Sequence, residues 1–578
     1  MAGRRSLIAL LVFFGILIAL AALIIVVFMG RAPAIREGSY LRLTLKGQLA
    51  EEASGFLEMP FLEREQITLK TVLDCIEKAK VDKRIKGIVV EISPLAFGWG
   101  KVQEIRDKLA WFRETSGKPV VAYLVLGGDK EYYLASVCEK VFMPEASRLL
   151  VDGLASEVTF FRGTLDKLGI TPDLEHIGSY KSASDILTQR SFTEAHREVT
   201  NAILDDSFNR LVTTIAQARG FTEREARKII DAGSFEAREA YERGLVDSLI
   251  YEDQLCGTFG IEKEEQFKTI SLEDYARVKL PSLGLGKGPK IALVYAVGTI
   301  TEGKSSFSPV WGRTMGSETM IEALRQARTD KDVRAIVLRI DSPGGSGTAS
   351  DLIWRETKRA RESKPFIASM SDMAGSGGYY IAMSADTIVA GPGTYTGSIG
   401  VVSGKFVTRG LYDKLGMTRE LVTRGENAAM YSDARPFTVA ERRKLMEQLW
   451  AWYTAFVQKA AEGRRMEEKA VDKVGRGRVW TGAQAAEVGL VDVVGGLERA
   501  LEIAKVKAGI PKDEQVTVVI YPKKKISLIQ KLMRTFSTEA ISWALTPELR
   551  QILELVHAQS SLRAGEPHYV MPYQIDTR

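Results

Sequence analysis

From Tyr40 onward the chain alternates short β-branched apolar runs with longer charged stretches whose apolar residues recur at helical spacing. Residues 85–92 and 120–126 read as buried strands, and residues 102–113 between them as a charged helix. The apolar run 333–340 ends abruptly in Asp341-Ser342-Pro343-Gly344-Gly345. Ser371 to Gly378 leads directly into Tyr379-Tyr380-Ile381-Ala382-Met383, a helix-like run. Outside this pattern, residues 7–29 are unbroken apolar sequence, long enough as a helix to cross a hydrocarbon core of about 30 Å. Near the other end, residues 523–534 are basic, with Ile526, Ile529, Leu532, Met533 and Phe536 at helical spacing. That pattern fits a membrane-surface helix or one packed on the body. Residues 560–578 are polar, contain two prolines and read as a tail.

The pattern occurs twice. Asp82-Lys83-Arg84-Ile85-Lys86-Gly87-Ile88-Val89-Val90 is echoed by Asp330-Lys331-Asp332-Val333-Arg334-Ala335-Ile336-Val337-Leu338, and Ser93-Pro94 by Ser342-Pro343. Tyr132-Tyr133 matches Tyr379-Tyr380, Asp166-Lys167-Leu168-Gly169 matches Asp413-Lys414-Leu415-Gly416, and Gly244-Leu245-Val246-Asp247 matches Gly489-Leu490-Val491-Asp492. A spacing of about 250 residues means a duplicated domain and not a short-period solenoid. Beyond about residue 511 the halves are expected to stop corresponding.

Length agrees, since 578 residues exceed one ordinary core. A formal net charge of +6 gives no reason to invoke nucleic acid. Cys75, Cys138 and Cys256 are scattered, cannot all pair, and support neither a disulfide framework nor a metal cluster. Arg4 and Arg5 ahead of the apolar run favour a cytoplasmic N-terminus, against which Arg31 and Arg36 weigh, and the body is expected outside the cytoplasm. Ala32-Pro33-Ala34 leaves a cleaved signal peptide as the competing reading.

Ser376 stands between glycines at a strand-to-helix turn, where a serine hydroxyl is exposed and the following backbone N–H is free to bind an oxyanion. Alone, Gly-Ser-Gly-Gly is ordinary turn punctuation. The Pro-Gly-Gly turn after the earlier strand adds weight, because amides of Gly344 or Gly345 could complete an oxyanion hole with the N–H of Gly377. Aligned on the tyrosine pairs, Ser376 falls opposite Asp129, and by the Ser-Pro match the glycine turn falls opposite Leu95-Ala96, so the first half lacks this chemistry. A base is still needed, and the four histidines, His176, His196, His557 and His568, leave the stretch after Ser376 empty until residue 557. A lysine kept neutral by burial could serve instead. Lys181, which falls opposite Ala428, could fill that role.

Taken as an ordered set, the strand ending in Ser-Pro-Gly-Gly, the Gly-Ser-Gly-Gly-Tyr-Tyr serine and Thr396-Gly397-Ser398-Ile399-Gly400 resemble signal peptide peptidase A in its long, tandem form. The resemblance covers roughly residues 40–510, and Gly375 stands where that family's pattern leads one to expect alanine. It implies an α/β chain of two Clp-protease/crotonase-like domains after one transmembrane helix. Residues 1–6 would be cytoplasmic, 7–29 spanning, 38–285 the domain supplying the lysine, 286–510 the domain supplying the serine, and 511–578 an extension. It implies Ser376 as nucleophile, Lys181 in Gly178-Ser179-Tyr180-Lys181-Ser182-Ala183 as general base, Ser398 as the residue orienting the lysine, and Gly344, Gly345 and Gly377 as oxyanion donors. Asp341 reads as a cap or turn residue. The implied activity is membrane-anchored serine endopeptidase action on cleaved signal peptides and other apolar peptides, without metal or organic cofactor. The implied assembly is a ring-like, tetramer-like homo-oligomer on the extracytoplasmic side of a bacterial inner membrane. A crotonase-type acyl-CoA enzyme and a catalytically silent membrane scaffold are the alternatives.

Overall fold

The computed structural model describes residues 35–53, 67–308, 312–522 and 568–571. The spanning segment expected at 7–29 and the basic stretch at 523–536 lie outside the described residues. Among the described residues no helix is long and apolar enough to cross a membrane.

In the first half, six parallel strands lie in the order Thr269–Ser271, Ser39–Gly47, Ile85–Leu95, Val120–Leu124, Lys140–Met143, Ser248–Leu249. The near-continuous burial of Ile88, Val89, Val90 and Ile92 explains why this strand reads as an unbroken apolar run and not as an alternation. Helices Leu69–Val81 and Trp99–Ser116 pack against it, the first N-capped by Thr68, whose hydroxyl accepts the N–H of Thr71.

The second half repeats this order, with strands Thr517–Tyr521, Lys290–Val297, Val333–Ser342, Phe366–Gly375, Thr387–Ala390 and Val493–Val494. The matched motifs do matched work. The hydroxyls of Tyr132 and Tyr379 donate to the carbonyls of Leu245 and Leu490. Asp247 and Asp492 accept the N–H groups of Val141 and Ile388, tying each Gly-Leu-Val-Asp to its sheet. Tyr275 and Tyr521 donate in the same way to Asp82 and Asp330. The correspondence therefore runs past residue 511, because Thr517–Tyr521 fills the edge that Thr269–Ser271 fills in the first half.

Two features join the halves. The first is an antiparallel ladder in which Thr171–Ile177 of the first half pairs with Val401–Val407 of the second, Ile177 opposite Val401 and Thr171 opposite Val407. The second is a buried ionic cluster beneath the C-terminal ends of the strands. Arg339, fully buried in an apolar strand, binds Glu51 through Nε and Nη2, both at 2.9 Å, and Glu104 through Nη2 at 2.6 Å. Lys101 adds Asp341 at 2.6 Å and Asp372 at 2.7 Å. Asp372 also accepts the N–H groups of Gly98 and Lys101, capping helix Trp99–Ser116 across the junction. Asp341 is thus an inter-half ion-pair partner, not the cap or turn residue its sequence context suggests. Burial raises the carboxyl of Glu104 to about 7, whereas Arg339 and Lys101 outweigh burial at Glu51 and hold it at about 2.

Candidate active site

Strand Phe366–Gly375 forks. Its first part pairs with Thr387–Ala390 and its last residues with Tyr395–Gly397, Gly375 lying opposite Gly397. Ser376 and Ser398, the next residue on each strand, are thereby brought side by side. Ser376 caps helix Gly377–Ala382 at φ 54°, ψ −108°, and Ser398 has φ 52°. Non-glycine residues in this region cost about 1–3 kcal/mol each and concentrate where function demands them. The neighbouring glycines are needed for space. A β-carbon on Gly378 would sit 2.8 Å from the Ser342 carbonyl oxygen. One on Gly377 would sit 2.7 Å from Ser350 Oγ and 3.2 Å from Gly345 N. Gly344 and Gly345 have φ of 101° and 155°, and the Gly344 N–H donates to Ser342 Oγ at 3.2 Å. Gly377 is therefore closely opposed to both, its β-carbon position 3.1 Å from Gly344 Cα and 3.2 Å from Gly345 N, while the Gly344 N–H is turned toward its own strand end.

The ladder between the halves delivers the lysine. Directly after Ile177, the segment Gly178-Ser179-Tyr180 turns Lys181 inward, where it is fully buried. Its Nζ lies 2.7 Å from Ser376 Oγ, 3.0 Å from Ser398 Oγ and 3.0 Å from the Ser398 carbonyl. Among the described residues no carboxylate pairs with it. Burial, with nothing to offset it, pushes the amine well below its ordinary value. The three residues singled out in the sequence for nucleophile, base and orienting hydroxyl thus meet within one chain.

What sequence reasoning missed is the clamp behind the lysine. Tyr180 N–H donates to Arg476 O at 2.8 Å, Gly477 N–H to Ile399 O at 2.6 Å, and Ser398 N–H to Arg478 O at 2.7 Å. Gly477, at φ 84°, lies so close that a β-carbon would collide with the backbone of Lys181. The signal was Gly475-Arg476-Gly477-Arg478, two glycines with no turn function apparent in the sequence. Gly477→Ala is expected to displace Lys181 and lower activity about 10²-fold while the circular dichroism spectrum stays unchanged. Activity within twofold of wild type would show that the clamp does not set the lysine's position.

The first half carries no such site. Asp129, opposite Ser376, is a buried carboxyl raised to about 8 by burial and then by Asp152. Where the second half has its glycine turn, the Leu95 N–H donates to Glu131 Oε1 at 2.6 Å. The Glu131 carboxylate thus takes up backbone N–H groups at this end of the first half's strand, Gly128 as well as Leu95. Of the histidines whose side chains are described, His196 packs against Phe160 and Phe192, and His176 lies in the inter-half ladder. No hydrogen bond links either to Ser376.

The sequence at 560–578 reads as a plain tail, yet four of its residues lie in the site. His568–Val570 pairs antiparallel with Gly344–Ser346 and touches the ladder strand at Val402. The Met571 N–H donates to Pro343 O at 2.8 Å. The Met571 side chain is buried with Val199, Ile203 and Val479, and a β-carbon on Gly375 would collide with it. The glycine turn offers an open backbone edge, which an extended segment of almost any composition can complete.

A duplicated α/β chain with a strained serine turn in one half, and a buried carboxyl at the matched position of the other, is built as a serine peptidase. Comparison with known proteins agrees and narrows the class. Peptidase family S49 is matched at residues 113–264 and 358–511, once in each half, and the chain belongs to that family. The chloroplastic serine protease SPPA of Arabidopsis thaliana is 39% identical over 500 residues, covering 86% of this chain and 73% of that protein. Protease 4 of Haemophilus influenzae is 29% identical over 567 residues, covering 92% and 89%. Protease 4 of Salmonella typhi is 31% identical over 462 residues, covering 77% and 73%. A solved mutant of the 1510-N membrane-bound stomatin-specific protease shares 15% identity at a TM-score of 0.26 over 41% of this chain, too slight a likeness to bear on the fold. The acyl-CoA and silent-scaffold alternatives give way to the peptidase.

Proposed function

We propose that the chain hydrolyses peptide bonds with a Ser376–Lys181 dyad. The observation that carries this reading is a lysine fully buried and, among the described residues, without a carboxylate partner, 2.7 Å from a serine held at positive φ. A neutral amine has two N–H groups and one lone pair. Ser398 Oγ and the Ser398 carbonyl accept the two N–H groups, leaving the lone pair for the Ser376 hydroxyl proton. As Oγ attacks the scissile carbonyl, Lys181 takes that proton and the oxyanion is met by the N–H groups of Gly377 and Gly345. Lys181 then protonates the departing amine, giving the acyl-enzyme. It next removes a proton from water, which attacks the ester, and the Ser376 hydroxyl is restored.

A substrate strand would take the place held by residues 568–571, with an apolar side chain where Met571 lies, so those residues must leave before a substrate binds. The name signal peptide peptidase among the relatives, together with this apolar pocket, supports cleaved signal peptides and other apolar peptides as substrates. Residues 7–29 would anchor the chain in a bacterial inner membrane with the peptidase body outside the cytoplasm, as a homo-oligomeric ring.

The pH profile tests the base. A lysine whose pKa is depressed is protonated and inactive below that value and free above it. Hydrolysis should therefore rise with pH through the depressed pKa and favour neutral to alkaline conditions. A maximum near pH 5, with the protein folded throughout, would contradict a neutral-lysine base.

A further inference from the structure

A third strained residue stands behind the lysine. Besides Ser376 and Ser398, Arg476 holds positive φ, at 51°, a region where a non-glycine residue is crowded and persists only when its surroundings fix it. Its carbonyl accepts the Tyr180 N–H at 2.8 Å, and a β-carbon on Gly178 would sit 2.4 Å from its carbonyl carbon. The next residue, Gly477, is pressed as closely on the backbone of Lys181. The place of the Arg476 peptide therefore decides where residues 178–181 turn. Arg476 and Gly178 also border a cavity of about 570 Å³, so packing alone does not fix that peptide.

Hydrogen bonds fix it instead. Asp472, in helix Glu468–Val474, accepts Arg476 Nε at 3.0 Å and Nη2 at 2.6 Å on Oδ2, and the Tyr453 hydroxyl at 2.6 Å on Oδ1. The Tyr453 oxygen in turn accepts the Arg476 backbone N–H at 3.3 Å. One carboxylate thus grips the arginine at its side chain directly and at its main chain through a buried tyrosine. The duplication gives an independent check. The Gly-Leu-Val-Asp match places Asp472 opposite Arg227, Tyr453 opposite Phe208 and Arg476 opposite Asp231, so none of the three groups is kept. Arg227 stacks on Phe208 and bonds to Asn209, and helix Glu223–Ala232 runs on through the position at which Arg476 breaks away. A grouping that served only to pack these helices would be wanted in both halves. This one stands in the half whose loop closes on Lys181.

We infer that Asp472 is a positioning residue for the general base: acting through Tyr453 and Arg476, it fixes the turn that aims the Lys181 amine at Ser376. Asp472 touches neither reacting group. It holds the Arg476 carbonyl where Tyr180 bonds to it, and Lys181, the next residue, enters its buried site from that point. The inference rests on the Ser376–Lys181 reading above.

The test is the pH–rate profile of full-length Asp472→Ala on a fluorogenic apolar peptide. Its kcat should fall roughly 10–100-fold with KM within about threefold of wild type. The acid limb of kcat/KM should move to higher pH, because a lysine less firmly enclosed loses part of the burial that depresses its pKa. Tyr453→Phe, which keeps the ring and removes the hydroxyl, should move both quantities the same way by less. Adding Arg476→Gly to Asp472→Ala should restore a sizeable part of the loss, since glycine takes φ 51° unaided. An unmoved acid limb in both single variants would overturn the positioning role, whether kcat stays within twofold or falls with the denaturant midpoint as a plain loss of stability. If that happens while Lys181→Ala is inactive, the dyad stands without it. Activity retained by Lys181→Ala would overturn the dyad and this inference together.

Discussion

Lys181→Ala and Ser376→Ala should each reduce peptide hydrolysis roughly 10³–10⁴-fold or more, with folding unchanged, because neither member reacts without the other. Ser398→Ala should cost only about tenfold. It deletes one of the lysine's acceptors and leaves the Ser398 carbonyl, 3.0 Å away, to hold the amine. Because Lys181 and Ser376 meet within one chain, the proposed dyad predicts that co-expressed Ser376→Ala and Lys181→Ala chains show no rescue in mixed assemblies. Recovery of a sizeable fraction of wild-type activity would assign the lysine to a neighbouring copy.

Arg339→Met should cost about 3–5 kcal/mol of stability, the scale for removing one partner of a buried ion pair. The change leaves Glu51 and Glu104 buried without the guanidinium that bonds to both. The loss should appear as a lower denaturant midpoint, and it should be accompanied by weaker docking of the halves, since both carboxylates come from the first and the arginine from the second. A variant within about 1 kcal/mol of wild type would show that neighbouring Lys101 and the protonated form of Glu104 suffice.

Much of this was legible in the sequence because duplication turns one chain into its own comparison. The echo of Asp82 in Asp330 and of Tyr132 in Tyr379 located equivalent strands and helices, and the mismatches at Asp129 and Ala428 showed which half carried which group. Lys181 and Ser376 could be named, but their meeting depends on the register of the ladder from Thr171 to Ile177, a long-range pairing that no local pattern states. Arg339 was visible as a charge inside an apolar run, yet its partners lie more than 200 residues away. Gly477 was hidden because its glycine requirement comes from the Lys181 backbone and not from its own turn. The continuation of the repeat to Tyr521 was missed because one tyrosine and a short apolar strand carry it. Residues 568–571 were unreadable as a strand, since the edge they complete belongs to Gly344–Ser346 and asks for backbone groups, not for particular side chains.

Covalent labelling tests the dyad most directly. The full chain, treated with a serine-directed acylating or phosphonylating probe at mildly alkaline pH, should take up one probe per chain, mapped by mass spectrometry to Ser376, and Lys181→Ala should abolish that uptake. Equal labelling of Lys181→Ala, or modification at a serine other than Ser376, would contradict a serine activated by the buried lysine.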